Sequence, residues 1–561
     1  MVLLLLLVAV QFIDVDTSND AVVYTDLGVI RGKRSNVKGK LIDTYLGVPF
    51  AQAPLLRHRF SPPRPVEKWK DELVATKTPP SCFQEKDTMF PGFKGSEMWN
   101  ADALDEDCLQ LNIWTPANAY NTTVMVWIFG GGFYSGSPSL ELYNGAYLAS
   151  IGNVIVVNIN YRVGPFGFLY LNTTSAPGNA GLLDQQLALS WISDHIEAFG
   201  GNRQQITIFG ESAGSASVSS HLVAKGSQNL FKYAIMQSGT MLNTWACLPQ
   251  NTAYDKALQF ADALGCPTTP DTPVKIIVEC LQDQPAAALT KAIIKVPTRV
   301  MEFPFVPVCQ DDNFFTKHVI SAIEEGDFKK TPIMIGIMKD EGSFWLPYVL
   351  PKHFDHIGQS LLTPEQFNYC VETMLKGYVP PLLIKSTAYQ YSGVNDCRDS
   401  NLNEYLRNRT SDLLGDFFFS CSVVRFLNLY KQLSGQNVFA YDFHKRISNN
   451  PWPHWMGAMH GYEIAYIFGR PIANPRQYSS SDVDFSEKII NFWTNFAKYG
   501  QPAPTGVWPP MKSEQKNQFL VLGSEDIYIA ENLRSDSCSF WDSMKKYRLK
   551  GTYFQEHYTT E

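Results

Sequence analysis

The sequence predicts an α/β fold on a large, mostly parallel central sheet, and three observations carry that prediction. Residues 124–129 and 154–161 are apolar runs that read as strands covered on both faces, since a strand with one wet face alternates apolar and polar residues. A helix-like stretch, 182–199, leads from the second run to a third, 205–209, and strand–helix–strand order is that of a parallel crossover. The third run ends at Gly210-Glu211-Ser212-Ala213-Gly214, and the small residues that follow are able to open a helix.

No Pro/Ser-rich linker, internal repeat or low-complexity tract divides the 561 residues, so residues 19–561 are expected to form one large domain with insertions. With 45% hydrophobic and 13% aromatic residues the chain can bury a substantial core, which excludes disorder over most of its length. Acidic residues exceed basic ones by 54 to 47 and no Lys/Arg-rich run occurs, so nucleic acid is not expected as a partner. A modest negative field, if focused at a cleft, concentrates a cationic substrate. Residues 1–10 are nearly all Leu and Val, and charged residues begin at Asp14. Too short to span a bilayer, this stretch reads as a signal peptide, residues 1–18, with a buried N-terminal strand as the alternative. Sequons at Asn121, Asn172 and Asn408 and an even count of ten cysteines fit an exported, disulfide-bonded glycoprotein. No C-x-x-C cluster occurs, which argues against a metal.

Taken from the N-terminus, residues 22–45 alternate around Gly, Lys and Asn turns, the pattern of an antiparallel sheet edge. A Pro-rich irregular segment begins at Gly47. Cys82 and Cys108 then bracket a stretch containing Phe90, Phe93 and Trp99, and a disulfide between them would close a loop of about 26 residues and contribute about 3 kcal/mol. Taken alone, Trp99 reads as core filler, because large aromatics are mostly buried. The run 124–129 passes directly into Gly130-Gly131-Gly132-Phe133-Tyr134-Ser135-Gly136. Glycines there let backbone N–H groups converge on one point without side chains in the way.

A strand that ends in G-x-S-x-G and continues as a helix is a nucleophile elbow: the glycines leave room for a sharp turn, and the serine stands exposed before the helix N-terminus. Ser212 is the candidate nucleophile, against the alternative of a Gly/Ser-rich loop. Because the glycine loop precedes the elbow, the N–H groups of Gly131, Gly132 and Ala213 are candidates to hold the oxyanion of a tetrahedral intermediate. In hydrolases of this order the acid and the base follow the serine, acid first. Several carboxylates and histidines follow Ser212, and the residues alone do not choose among them.

From about residue 22 to about residue 541 the chain resembles the type-B carboxylesterases, and among them the cholinesterases. The likeness is carried by Gly95-Ser96-Glu97-Met98-Trp99-Asn100, Glu106-Asp107-Cys108-Leu109, the glycine loop, the elbow, Lys339-Asp340-Glu341-Gly342-Ser343-Phe344 and His460-Gly461-Tyr462-Glu463. The resemblance implies an α/β-hydrolase fold whose insertions form a deep gorge, no cofactor, and hydrolysis of choline esters, chiefly acetylcholine, through an acyl-enzyme on Ser212. It makes His460 the general base that later protonates the leaving alcohol and Glu341 the carboxylate that orients it, with Asp340 the alternative acid. An unperturbed histidine titrates at about 6.5, which sets an expected acid limit on activity.

The same resemblance places the choline group against Trp99, with Phe344, Tyr134, Glu211, Tyr462 and Trp452 nearby and Asp87 at the gorge rim. A quaternary ammonium donates no hydrogen bond, so aromatic faces and negative charge must hold it. The acyl group falls to Trp245, Met301, Phe303 and Trp345. Acetyl-specific members have aromatics at the positions of Met301 and Phe303, so flexible Met301 implies tolerance of longer acyl groups unless Trp345 refills the space. Implied disulfides are Cys82–Cys108, Cys266–Cys280 and Cys421–Cys538, with Cys370–Cys397 expected and Cys247 and Cys309 left open. Implied ion pairs are Arg59–Glu106 and Arg162–Asp184. The chain departs from the family pattern at the rim, where residues 286–299 hold no aromatic and Glu85 replaces a tyrosine, which weakens any second cation site.

Two other readings stay open. A general carboxylesterase for neutral esters needs no Trp99 cage and often carries His where Phe129 precedes the glycines. A noncatalytic adhesion relative lacks a triad member and usually has a membrane span, whereas Ser212, Glu341 and His460 all stand and no apolar stretch of about 20 residues is read. The tail beyond Cys538 holds no cysteine, tetramer helix or lipid-anchor signal, so a soluble, secreted monomer is expected, with noncovalent dimers open.

Overall fold

The computed structural model describes residues 20–393, 401–511, 517–523 and 526–544. The expected signal peptide, Cys397 and the chain after residue 544 lie outside them. β1 (Asp20–Thr25), β2 (Gly28–Val37) and β3 (Lys40–Pro49) form the antiparallel edge expected from residues 22–45. β4 (Gln110–Pro116) continues it. β5 (Thr122–Ile128), β6 (Ile155–Ile159), β7 (Gly201–Glu211), β8 (Tyr233–Gln237), β9 (Ile333–Met338), β10 (Val438–Phe443) and β11 (Gln518–Leu522) follow, and β12 (Ile527–Glu531) closes the far edge antiparallel. Across the sheet the order is β1-β2-β3-β4-β6-β5-β7-β8-β9-β10-β11-β12, with the short strand Leu73–Val74 beside β2.

Every pairing from β6 to β11 is parallel, and this block is the buried centre. β6 and β9 are buried along their whole length and β5 from Val124 onward, so neither face of these strands alternates with polar residues. Flanking helices supply the cover: α1 (Ala180–His195), α2 (Ala213–Val223), α3 (Leu402–Gly415), α4 (Cys421–Ser434), α5 (Ser480–Tyr499) and α6 (Ser535–Met544). In α5 the Ser479 hydroxyl accepts from Asp482 N–H and caps the first turn, while Phe485, Ile489, Trp493 and Phe496, spaced three or four apart, are buried along one stripe.

α3 and α4 run into each other through a π-turn, Asp416–Ser420. The combined stretch Leu402–Ser434 is long and apolar enough to cross a membrane by length and composition, where the sequence reading found no such stretch. Its most apolar part is 72% buried inside the fold, so here it is a core helix.

Disulfides join Cys82–Cys108, Cys247–Cys309, Cys266–Cys280 and Cys421–Cys538. The expected Cys370–Cys397 pairing is corrected: Cys370 is a buried free thiol, and burial pushes its pKa up to about 12. It lies on the helix Pro364–Leu375 with Phe367, Val371 and Met374, spaced for one apolar face, so its side chain belongs to the core. Arg59 holds Glu106 through two bonds of 2.6 and 2.8 Å, and Arg162 holds Asp184 through bonds of 2.8 and 2.6 Å. Both pairs are buried enough that losing one partner strands a charge.

Candidate active site

The elbow forms at the end of β7, where Ser212 takes φ 57° and ψ −121°. That geometry is one a residue with a side chain rarely adopts, and the surroundings impose it. Ser212 N–H donates to Gln237 O at 2.8 Å, and α2 departs at once from Ala213. A Cβ on Gly210 would meet Ile128 O at 2.6 Å and one on Gly214 would meet the same oxygen at 2.0 Å, so the turn can only press against β5 with glycine at both positions. In the loop after β5, Gly131 (φ 115°) and Gly132 (φ 58°) are backbone conformations that glycine favours. Tyr134 and Ser135 N–H both donate to Gly131 O at 3.0 Å, which closes the loop. Among the described residues the N–H groups of Gly131, Gly132 and Ala213 donate to no hydrogen-bond partner.

Glu341 follows β9 and His460 follows β10 by a longer loop. His460 Nδ1–H donates to Glu341 Oε2 at 2.5 Å, while Glu341 Oε1 accepts from Met338 N–H at 2.8 Å, so the carboxylate is fixed at both ends. Asp340 is turned elsewhere: its carboxylate accepts Ala458 N–H at 2.8 Å and its own N–H donates to Ala458 O at 3.1 Å. The Ser343 hydroxyl adds a bond to Met456 O at 2.7 Å. Asp340 and Ser343 thus join the two loops that present Glu341 and His460.

His460 Nε2 stands 3.1 Å from Glu211 Oε1 and has no hydrogen-bond partner among the described residues. A Cβ on Gly130 would lie 2.9 Å from the Glu211 carboxylate and 3.1 Å from Ser212 Cβ, so glycine loop, carboxylate and serine surround one small space. Burial draws the imidazole pKa down, but Glu211 and Glu341, with Glu463 behind them, outweigh it and hold it up at about 9. The ordinary value expected from the sequence is therefore corrected by carboxylates that the fold gathers. Burial raises Glu211 in turn, with His460 pulling against it, and raises Glu463, whose Oε1 accepts a bond from the Gln237 amide at 2.9 Å.

A cavity of about 520 Å³ opens over Ser212, and its wall includes Trp99, Tyr134, Glu211, Phe344, Trp345 and His460, with Glu85 and Asp87 toward the mouth. Tyr348, unmarked in the sequence reading, donates from its hydroxyl to Asp87 Oδ2 at 2.7 Å. Trp452 and Tyr462 stand behind this wall: Trp452 Nε1–H donates to Tyr462 Oη at 2.6 Å, and the Tyr462 ring meets Trp99 edge-on at 6.3 Å. They hold Trp99 in place. Phe303 packs on Tyr134 at 4.9 Å and faces Trp345 at 6.4 Å. Trp245 and Met301 are buried outside the cavity wall.

The family model for carboxylesterases matches residues 19–541. The chain belongs to the carboxylesterase family. Among carboxylesterase-family relatives it is similar to acetylcholinesterase 4 of Caenorhabditis briggsae, with 41% identity over 99% of this chain and 94% of that protein. It is 39% identical to acetylcholinesterase of Bungarus fasciatus, over 94% of this chain and 87% of the relative. A cholinesterase of Mus musculus is also 39% identical, over 96% and 89%.

Within this carboxylesterase fold, sequence reading gave no role to Glu463 or Phe419. Glu463 was legible as a carboxylate three residues beyond His460. Phe419 was not: its ring lies 4.5 Å from the His460 ring, yet in the run Phe417-Phe418-Phe419 nothing marks which ring faces the imidazole.

Proposed function

We propose that this chain is a secreted serine esterase that hydrolyses choline esters, chiefly acetylcholine, through an acyl-enzyme on Ser212. The observation that carries the reading is the placement of an aromatic wall, Trp99 with Phe344, and a buried carboxylate, Glu211, in the same cavity as Ser212 and the His460–Glu341 pair. A quaternary ammonium over an indole face gains about 2 kcal/mol when desolvated, and Glu211 adds attraction without asking for a hydrogen bond.

In this mechanism Ser212 Oγ attacks the ester carbonyl as His460 Nε2 takes its proton. The N–H groups of Gly131, Gly132 and Ala213 hold the oxyanion. Collapse breaks the bond to choline, whose oxygen receives the proton from His460, and water repeats the cycle on the acyl-serine. The carboxylates around His460 favour the imidazolium in the empty site. A substrate cation arriving beside Glu211 offsets that pull, so binding itself lowers the proton affinity of the base.

The test is to label with an organophosphate and compare acetylthiocholine with neutral phenyl acetate. Stoichiometric label at Ser212 alone and a clear preference for the cationic ester are expected. Label elsewhere contradicts the mechanism, and equal efficiency on both esters favours a general carboxylesterase. Secretion as a soluble, glycosylated monomer is part of the same reading. It is supported by four disulfides and by the exposure of Asn121, Asn172 and Asn408.

A further inference from the structure

We infer that the cavity between the helices Pro364–Leu375 and Pro381–Ser392 and α3 is a second ligand site, taking the anion of a fatty acid, and that the loop carrying Phe303 responds to its occupancy. The cavity holds about 1010 Å³ and shares no lining residue with the one over Ser212. That volume is at the upper end of the roughly 300–1,000 Å³ typical of small-molecule sites. Phe367, Ile384 and Leu406 are the buried part of its lining, joined by Val379, Ala388 and Leu402. Its charges stand on the solvent side, where exposed Lys376 and Lys385 outnumber exposed Glu372. Neither ammonium has an ion-pair or hydrogen-bond partner among the described residues. A buried apolar floor below an excess of positive charge fits an alkyl chain that ends in a carboxylate. A neutral lipid would forgo the attraction, and a cation would be repelled.

One corner of this cavity is built from Gly377 and Tyr378, and both are tied to the loop 296–307. Gly377 takes φ 80°, and a Cβ there would lie 2.9 Å from Arg299 Cδ, so glycine lets the arginine approach. The Gly377 carbonyl accepts from Arg299 Nη1–H at 2.8 Å. The same guanidinium lies over the Tyr378 ring at 4.3 Å, while the Tyr378 hydroxyl donates to Val300 O at 2.7 Å. Arg299 Nε–H donates in turn to Glu302 Oε2 at 2.6 Å, and Lys256 Nζ holds Glu302 Oε1 at 2.9 Å. Glu302 precedes Phe303, whose ring packs on Tyr134 in the wall over Ser212. An alkyl chain lodged against Tyr378 therefore bears on a series of direct contacts that ends beside the serine.

The experiment titrates the full chain with laurate by calorimetry after Ser212 has been blocked with an organophosphate, which keeps the cavity over the serine from competing. One laurate per chain is expected, with hexanoate at least about a hundredfold weaker because it buries fewer methylenes. The double variant Lys376→Glu/Lys385→Glu is expected to bind laurate about tenfold more weakly. Ala388→Trp, whose indole fills the cavity, is expected to bind none, and Ala388→Phe replaces it if its melting curve shows no cooperative fold. On the unblocked chain laurate is expected to change KM for phenyl acetate by about twofold or more in wild type and to leave it unchanged in Ala388→Trp. No binding, equal binding in Ala388→Trp, or a KM effect that survives in that variant overturns the inference. So does a chain that sediments as a dimer in wild type and as a monomer in Ala388→Trp, because a second copy then covers the groove. A KM untouched by bound laurate overturns the link through Tyr378. Failure of the esterase reading shows separately, as a chain that takes no organophosphate label and turns over no ester yet still binds laurate.

Discussion

On one wall of the cavity Trp99 stands in the loop closed by Cys82–Cys108, close to Glu211 and below the Asp87–Tyr348 contact. On the other, Trp345 is stacked on Phe419, which sits in the middle of a buried helix and is pinned by Asn243 and Trp245. The difference follows from what each wall would recognise. Attraction between a cation, a π face and a carboxylate falls off gradually with distance, so a tethered surface loop is stiff enough to supply it. Measuring an acyl chain to within a methylene depends on contact repulsion, which only a close-packed core delivers.

The sharpest way to break the comparison is to remove the chemistry the walls share. Ser212→Ala is expected to lose at least about 10⁴-fold in kcat on cationic and neutral esters alike, since triad members act as a unit. Turnover measured on both esters checks it, and a variant retaining a tenth of its activity on either would contradict the nucleophile assignment. Next in size is Trp99→Ala, expected to cost about 2 kcal/mol in kcat/KM toward acetylthiocholine and much less toward an isosteric neutral ester. Equal losses on both would reduce Trp99 to packing and erase the distinction between the walls.

A smaller effect sharpens the electrostatic side. Carboxylates hold the His460 imidazole at about 9 in the empty site, so the acid limb of kcat/KM, which reports the free enzyme, is expected above the ordinary histidine value of about 6.5. Glu211→Gln removes one negative charge, the imidazolium loses support, and the limb moves to lower pH. Profiles taken with a neutral ester keep cation binding out of the measurement. A limb that stays in place would mean that Glu211 does not govern the base.

Local backbone demands made much of the fold and half of the site legible. Gly210, Gly214, Gly131 and Gly132 announce themselves because only glycine fits the close approach or the φ each position needs. The parallel centre was readable from strands without alternation. Glu341 and His460 were not readable in this way: they meet across 119 residues, and spacing carries no trace of such a contact, so family likeness had to propose them. The raised imidazole escaped for the same reason, since its cause is three carboxylates brought together only by folding. Met301 took its place in the acyl wall from a family pattern alone; its backbone stands at φ 57° and its side chain is buried. Residues 402–434, where no apolar stretch of about 20 residues was read, form the long buried helix that carries Phe419.

The backbone of Ser212, at φ 57° and ψ −121°, also bears on how such a protein changes over generations. A glycine adopts that conformation freely, whereas a side-chain-bearing residue there costs about 1–3 kcal/mol, a sizeable share of a domain's folding free energy. Selection for turnover therefore works against selection for stability at this one position. In a lineage released from catalysis, the first mutation to favour folding would be the one that deletes the nucleophile. Equilibrium denaturation of Ser212→Gly against Ser212→Ala measures that incentive directly: the glycine variant should be the more stable, and a tie would show that the elbow stores no strain.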